Sequence, residues 1–118
     1  MEKKKWGQLL TLDLFGCDKS LLINPEKLKS FSNQIIKKIN MVAHGEPLVE
    51  RFGDGELYGY SLIQFIETSS ITMHVDNFGN RVFIDVFSCK EFDSKKAEKF
   101  SKEFFRAKKI VAKTLYRG

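Results

Sequence analysis

Residues 61–88 read SLIQFIETSSITMHVDNFGNRVFIDVFS, and this stretch decides the fold. It contains apolar runs that are separated by short polar breaks, and these runs occupy 61–66, 71–75 and 81–88. In the last run every second residue from 82 to 86 is a branched aliphatic, which is the period of a strand. Because runs of adjacent strands favour antiparallel pairing, the stretch predicts three strands of an antiparallel sheet.

One strand and one helix are predicted before this stretch. Alternating leucines at 10, 12 and 14 predict a strand over 7–15. Asn24 is a good helix N-cap and Pro25 suits the first helical position, so a helix should begin there and end near Asn40. Its apolar stripe consists of Leu28, Phe31, Ile35 and Ile39.

The segment between this helix and the central stretch is interpreted as rich in loops. Residues 44–60 contain four glycines and one proline, which are too many chain breakers for one regular element. Within it, only 48–52 is compatible with a short strand, which is not counted in the predicted order of elements.

A second helix and a last strand complete the predicted fold. Asp93 or Ser94 should cap the helix, which buries Ala97, Phe100 and Phe104, and the last strand should cover 109–115. The order strand, helix, three strands, helix, strand predicts an α+β fold, with an antiparallel sheet and helices packed on one face. A chain of 118 residues is long enough for one core, so residues 1–118 are expected to form a single domain.

The formal net charge of +5 does not by itself indicate a nucleic-acid partner. The lysines concentrate at predicted helix faces and chain ends, for example at 3–5 and 95–102, which is typical of solvated surface. Nucleic-acid binding would be favoured by basic residues interleaved with exposed aromatics on one face. We therefore expect no nucleic-acid partner.

The chain start and the cysteines indicate a compartment. Met1 to Trp6 is charged, and no apolar run follows that is long enough for a secretory signal or a membrane span, so we expect a cytosolic protein with no membrane partner. The cysteines are Cys17 and Cys89, without a CxxC motif or zinc-type His spacing. No metal site is expected, both should be free thiols, and Cys17 is interpreted as a buried thiol at a strand end.

The candidates for chemistry are the polar break at 67–70, His74 and Cys89. Each also has an ordinary structural interpretation. A serine pair between strands is most often a turn whose hydroxyls bond the backbone. A lone histidine is often structural, and a cysteine is commonly a small buried apolar group. Residue types alone therefore leave both interpretations open.

The sequence resembles the short bacterial and archaeal form of the S-adenosylmethionine decarboxylase family along almost the whole chain. Ile66-Glu-Thr-Ser-Ser-Ile-Thr-Met-His74 is similar to the processing motif of that family, and Ile84-Asp-Val-Phe-Ser-Cys89 follows it at the matching distance. Gly7-Gln-Leu-Leu-Thr-Leu-Asp-Leu-Phe-Gly-Cys-Asp18 is similar to the opening strand, and Gly59-Tyr-Ser61 to the stretch that enters the pocket.

The resemblance implies that the chain makes its own cofactor. Ser69 matches the self-processing serine, whose hydroxyl attacks the carbonyl of Thr68, so that the chain is cleaved between residues 68 and 69. Ser69 then becomes a pyruvoyl group, which forms a Schiff base with the amine of a small-molecule substrate and draws electrons from the breaking carboxylate bond.

The resemblance also implies roles for neighbouring residues. His74 matches the base that assists the elimination in processing, and Cys89 matches the acid that protonates the carbanion after carbon dioxide leaves. Ser61 and Ser70 are expected to line the substrate pocket. The implied activity is decarboxylation of S-adenosylmethionine to the aminopropyl donor for spermidine synthesis, in the sandwich fold of the family and as a homodimer.

The sequence departs from the family pattern at two positions. Thr68 stands where the family usually has Glu, and Phe78 stands where the family commonly has the Glu that binds the ribose hydroxyls. Asp76 or Asn77 could replace that ribose ligand, since both can accept bonds from hydroxyls.

Two alternative functions therefore stay open. The chain could use the same pyruvoyl chemistry on an amino acid such as arginine or ornithine. It could also be an uncleaved homologue that acts as a binding or regulatory subunit.

Overall fold

The computed structural model describes residues 6–118, and the lysines predicted as solvated surface at 3–5 lie outside the described residues. The described strands are β1 (Gly7–Phe15), β2 (Ala43–Phe52), β3 (Gly59–Ile66), β4 (Ser69–Asp76), β5 (Arg81–Ser88) and β6 (Lys109–Arg117). The helices are α1 (Lys19–Leu22), α2 (Pro25–Lys38) and α3 (Ser94–Phe105), and a short 3-10 helix covers Gly55–Leu57.

The strands form one sheet in the order β2-β3-β4-β5-β1-β6, and every neighbouring pair is antiparallel. β3, β4 and β5 are consecutive hairpin strands, which confirms the antiparallel interpretation of residues 61–88. β1 lies between β5 and β6, so the first and last strands are neighbours and β6 forms one edge of the sheet.

One face of the sheet carries the core. Strand alternation points Leu10, Leu12 and Leu14 of β1 to the same side as the branched aliphatics of β5, and all of these are buried. The predicted stripe of α2 belongs to the same core, together with Ala97 and Phe105 of α3. The predicted α+β sheet with helices packed on one face is therefore confirmed. The opposite face, called the open face below, carries Ile63, His74 and Phe83.

An aromatic cluster joins α2 to α3. The ring of Phe31 lies 4.8 to 5.7 Å, centroid to centroid, from the rings of Phe100, Phe104 and Phe105. The residues of α3 that are completely buried are Ala97, Ser101 and Phe105, whereas Phe100 and Phe104 are half-buried against the core. The predicted burial was therefore correct for Ala97, whereas Phe100 and Phe104 each precede a completely buried residue by one position.

The prediction that residues 44–60 are mainly loop was wrong. β2 covers Ala43–Phe52 at the edge of the sheet, with a register shift between His44 and Leu48. The shift accommodates Gly45, which has a φ of +78°, and Pro47. A proline is tolerated on an edge strand or at a bulge because its missing N–H is not needed there. Four strands, and not three, thus separate α2 from α3.

Other element boundaries differ slightly from the expectation. β4 begins at Ser69, two residues before the predicted 71, because Ser69 pairs with Ile66 across the turn. β6 continues to Arg117, and the cap of α3 is Asp93, whose side chain accepts a bond from the backbone N–H of Lys96. Within residues 6–118 no helix combines the length and hydropathy that a membrane crossing would require.

Candidate active site

A two-residue turn, Glu67-Thr68, joins β3 to β4 and positions the predicted cleavage site. Ser69 follows the turn and lies opposite Ser88, the last residue of β5, so Cys89 is its immediate neighbour. The backbone N–H of Cys89 donates to Ser69 Oγ at 3.3 Å, and Cys89 Sγ donates to Thr68 Oγ1 at 2.7 Å. The structure therefore brings Thr68, Ser69 and Cys89 together, and we call them the cleavage cluster.

The turn lies at the surface and has an unusual backbone. Glu67 and Thr68 are exposed, and Thr68 has a φ of +61°. A positive φ at the third residue of a four-residue turn suits glycine or asparagine and is an outlier for a β-branched residue. The peptide bond between Thr68 and Ser69 is thus both accessible and part of a strained turn.

His74 and Ser61 form a second group of candidate side chains. They lie opposite each other on β4 and β3, and Ser61 Oγ is 2.9 Å from His74 Nδ1. Both face the open side of the sheet, where a cavity of about 200 Å³ surrounds them. We call this pair the histidine cluster. The remaining lining residues are Leu48, Glu50, Phe52, Ile63 and Thr72.

The two clusters are far apart within one chain. Ser69 and His74 are five positions apart on the same extended strand, which corresponds to about 16 Å. An odd separation also points their side chains to opposite faces of the sheet. The structure thus places Ser69 beside Cys89, as expected for residues that act together, but a single chain does not bring His74 to either of them.

Ser70 and Asp76, both predicted to bind substrate, occupy the open-face positions at the two ends of β4. Ser70 is half-buried beside its strand neighbours Phe65 and Phe87. Asp76 Oδ1 accepts the backbone N–H of Gly79 at 3.0 Å, and Asp76 Oδ2 accepts Arg81 Nε and contacts Nη2, both at 2.7 Å.

The environment of Asp76 lowers its pKa. Partial burial opposes ionisation, but the Gly79 N–H and the Arg81 guanidinium outweigh it and hold the pKa of the carboxyl below its usual value of 3.8. Both oxygens of Asp76 are therefore engaged within the β4–β5 turn. In the same turn the carbonyl of Asn77 accepts a bond from Lys19 Nζ, and the ring of Phe78 is exposed.

Sequence reasoning did not identify Glu50 as a candidate residue, because residues 44–60 were interpreted as rich in loops and the short strand at 48–52 was not paired with β3. Glu50 lies opposite Ser61 and lines the cavity beside the histidine cluster. Among residues 6–118 its carboxylate has no ion-pair or hydrogen-bond partner. Leu48, Glu50 and Phe52 occupy every second position, as residues on one face of a strand do, and this pattern could have identified the wall of the cavity.

The two cysteines differ in environment. Cys17 is buried, as predicted, and burial raises the pKa of its thiol to about 11. Cys89 is half-buried at the cleavage cluster, and both are free thiols. In the part of the chain that the structure describes, no three His, Cys, Asp or Glu side chains converge as metal ligands.

Comparison with known proteins gives one consistent result. A sequence model of the family described as S-adenosylmethionine decarboxylase matches residues 8–118. The chain is 31% identical, over 113 residues, to the S-adenosylmethionine decarboxylase proenzyme of Clostridium botulinum strain Langeland, covering 95% of this chain and 94% of that relative. It is 30% identical to the proenzyme of strain Hall over the same shares of both chains.

A solved structure is similar in fold. The crystal structure of the adenosylmethionine decarboxylase from Aquifex aeolicus VF5 superposes with a TM-score of 0.82. The similarity covers 98% of this chain and 93% of that chain at 19% sequence identity. At this level of identity the likeness concerns the arrangement of strands and helices.

The contacts of Asp76 predict a pH-dependent contribution to stability. Because its pKa is lowered in the folded state, its stabilisation is fully present above 3.8 and is lost as the pH falls below that value. Asp76→Asn should reduce the free energy of unfolding by about 1–2 kcal/mol at pH 7. Urea unfolding at pH 7, 5 and 3 measures this, and the difference from wild type should shrink at pH 3. Glu50→Gln is the control and should change little, whereas an equal Asp76→Asn loss at every pH would contradict the assignment.

Proposed function

Because the chain belongs to the S-adenosylmethionine decarboxylase family, we propose that it is a carboxy-lyase that produces its own pyruvoyl group by cleavage between Thr68 and Ser69. The observation that carries this proposal is the cleavage cluster. Ser69 directly follows the exposed, strained turn, and its hydroxyl is held by the N–H of Cys89. This places a nucleophile, the attacked carbonyl and a thiol within one small region.

Self-cleavage uses groups of this chain and one water molecule. Ser69 Oγ forms a bond to the carbonyl carbon of Thr68 while the peptide C–N bond breaks, and the hydroxyl proton moves to the freed nitrogen, which leaves an ester. Removal of the proton from Ser69 Cα then breaks the Cβ–Oγ bond and releases Thr68 as a carboxylate. The residue that remains has lost its hydroxyl and carries an amino group on Cα. Water reacts at Cα and displaces this nitrogen as ammonia, which leaves the ketone.

The fold is suited to hold such a group. The cleaved bond lies in the turn, so the paired residues of β3 and β4 remain in the sheet on both sides of it. The new terminal residue would be the first residue of β4, beside the Cys89 thiol. When present, the ketone supplies the electron sink for decarboxylation. Cys89 would donate its thiol proton to the carbon that loses carbon dioxide.

His74 is proposed to accept the proton from Ser69 Cα. In this role Nδ1–H of His74 donates to Ser61 Oγ, which leaves the lone pair of Nε2 available as the base. Ser61 therefore orients the ring and selects the tautomer. The proton to be removed is on Cα and not on the hydroxyl, so the base need not lie on the face to which the Ser69 side chain points. Within one chain His74 is too far away to take it.

The separation of about 16 Å between Ser69 and His74 supports a homodimer as the active species. The open face exposes large apolar side chains, among them Leu48, Phe52, Ile63, Phe65 and Leu115. An apolar surface of this kind is typical of an interface. In a two-fold dimer the open face of one protomer packs on the open face of the other. The cleavage cluster of each protomer can then approach the histidine cluster of its partner, which gives two equivalent sites per dimer.

S-adenosylmethionine is the substrate we propose first, on the basis of family membership, with decarboxylation to the aminopropyl donor for spermidine synthesis. Amino acids such as arginine or ornithine are the second candidates, and the β4–β5 turn favours them. It exposes the apolar ring of Phe78, and the two oxygens of Asp76 are bound to Gly79 and Arg81. Glu50 instead offers a carboxylate in the cavity, which suits the cationic end of a basic amino acid.

Self-cleavage has a direct test in the mass of the purified chain. Denaturing mass spectrometry should show a fragment that ends at Thr68 and a second fragment that begins with a pyruvoyl group in place of serine. Ser69→Ala should remain whole, because the nucleophile is absent. A wild-type chain of full mass only would instead favour the uncleaved binding or regulatory homologue.

The shared site predicts complementation between two inactive variants. Ser69→Ala and His74→Ala chains, co-expressed at equal levels, should form mixed dimers that contain one complete site. Cleavage of the His74→Ala chain should then rise to roughly half of its molecules, as random pairing of subunits dictates. Intact mass of differently tagged chains measures it.

The matched control for complementation replaces the Ser69→Ala chain with a Ser69→Ala/His74→Ala double variant. This partner cannot supply His74, so the His74→Ala chain should remain uncleaved. Rescue by the double variant, or no rescue by Ser69→Ala, would show that the two clusters do not meet across a dimer.

Substrate identity can be decided with carboxyl-labelled compounds. Purified cleaved protein should release labelled carbon dioxide from S-adenosylmethionine under the first proposal, and from arginine or ornithine under the second. If the second holds, Glu50→Gln should raise KM by about tenfold or more, because a charge-assisted contact to the cationic end is lost. Release from S-adenosylmethionine alone, with KM unchanged in Glu50→Gln, would exclude the role of Glu50.

A further inference from the structure

The residue whose carbonyl is attacked has a strained backbone. Thr68 has a φ of +61°, in the left-handed region that residues with a branched Cβ rarely adopt. Other non-glycine residues with positive φ occur elsewhere, and two of them, Asn40 and Asn80, are asparagines, which tolerate this region. Thr68 combines the conformation with a side chain that is poorly suited to it.

Contacts on both sides keep Thr68 in this conformation. The N–H of Glu67 donates to the carbonyl of Val42 at 3.0 Å, and Ile66 pairs with Ser69 to close the turn. On the far side the N–H of Cys89 holds Ser69 Oγ. Strain of this kind persists only where the surroundings determine the backbone on all sides, and it concentrates at functional sites.

We propose that Thr68 is a positioning residue for self-cleavage, because its strained left-handed backbone is relieved when its bond to Ser69 breaks. This inference rests on the proposed function, and it gives a physical cause for the rate at which Ser69 attacks the carbonyl of Thr68. As Ser69 Oγ bonds to the Thr68 carbonyl carbon, the C–N bond breaks and the hydroxyl proton moves to the nitrogen. Thr68 is then tethered through a longer, more flexible ester and later has a free carboxylate. The intact chain is thereby destabilised relative to the cleaved one.

The side chain of Thr68 has a second property that must be separated from strain. Its hydroxyl donates to the carbonyl of Glu67 and accepts from Cys89 Sγ. A role through this hydroxyl would depend on hydrogen bonding, whereas a role through strain depends on the branched Cβ. Valine keeps the branch and removes the hydroxyl, and serine keeps the hydroxyl and removes the branch, so the two variants separate the two roles.

Cleavage rates of these variants test the proposal. Cell-free pulse-labelled chains would be chased, and the fraction cleaved would be followed on denaturing gels. Thr68→Val should cleave at a rate close to that of wild type, and Thr68→Ser should be slower. Thr68→Gly should be slower by about five- to thirtyfold, the factor that corresponds to the ordinary cost of this conformation for a residue with a Cβ. Asn80→Gly changes a residue of positive φ in the β4–β5 turn and should leave the rate unchanged.

Stability of the intact chain gives an independent measurement. In the Ser69→Ala background, which cannot cleave, Thr68→Asn should raise the urea midpoint, because asparagine tolerates the left-handed region. Asparagine is preferred to glycine here, since glycine also gives the unfolded chain more freedom. We expect Thr68→Asn to lower the cleavage rate and to raise the urea midpoint of the intact chain. A general structural defect would lower the cleavage rate and the urea midpoint together.

The outcomes are distinguishable. A wild-type chain that remains whole overturns the proposed function and this inference together. If the wild type cleaves and Thr68→Gly cleaves as fast or faster, the strain has no role while the proposed function stands. If Thr68→Ser matches wild type and Thr68→Val is slow, the hydroxyl is responsible and the inference about strain is wrong.

Discussion

The pairing of Ile66 with Ser69 across the two-residue turn is the constraint on which the rest of the structure depends. It fixes the register of β4 against β3 and, through Ser69 opposite Ser88, against β5. Because side chains alternate with a period of two, a slip of one residue would move Ile71 and Met73 out of the core. The same register places Cys89 beside Ser69, so one turn determines the core and the candidate chemistry together.

The sequence contained enough information for the regular elements and too little for the irregular edge. Alternating leucines specified Gly7–Phe15, and a strong N-cap followed by proline specified the start of α2 at Pro25. Only the second half of β2, residues 48–52, was interpreted as a strand, because Gly45 and Pro47 interrupt the pattern of its first half. The position of β2 at the sheet edge makes these two residues tolerable. Leu48, Glu50 and Phe52 were not recognised as a wall of the cavity, because the pairing of β2 with β3 that places them beside Ser61 could not be predicted from the sequence.

The candidate residues could be predicted from family resemblance, but their spacing in three dimensions could not. Ser69 and His74 are five positions apart in sequence, which would be about 7.5 Å along a helix and is about 16 Å along a strand. The strand conformation therefore separates residues that the resemblance assigns to one reaction. The contact between Ser69 and Cys89, twenty positions apart, depends instead on hairpin register and appears only when β4 and β5 are paired.

The two ends of β4 carry different parts of the proposed function, and each end has one residue that departs from the family pattern, Thr68 at the cleavage end and Phe78 at the other. At one end, Thr68, Ser69 and Cys89 are held by the turn and by backbone contacts that involve no substrate-binding residue. At the other end, the ion pair of Asp76 and Arg81 closes a turn that exposes Phe78. A change of recognition residues there does not disturb the register that aligns Ser69 with Cys89. We infer that chemistry and specificity can diverge independently within one sheet, and Glu50 on the edge strand is the residue we propose for binding a different substrate.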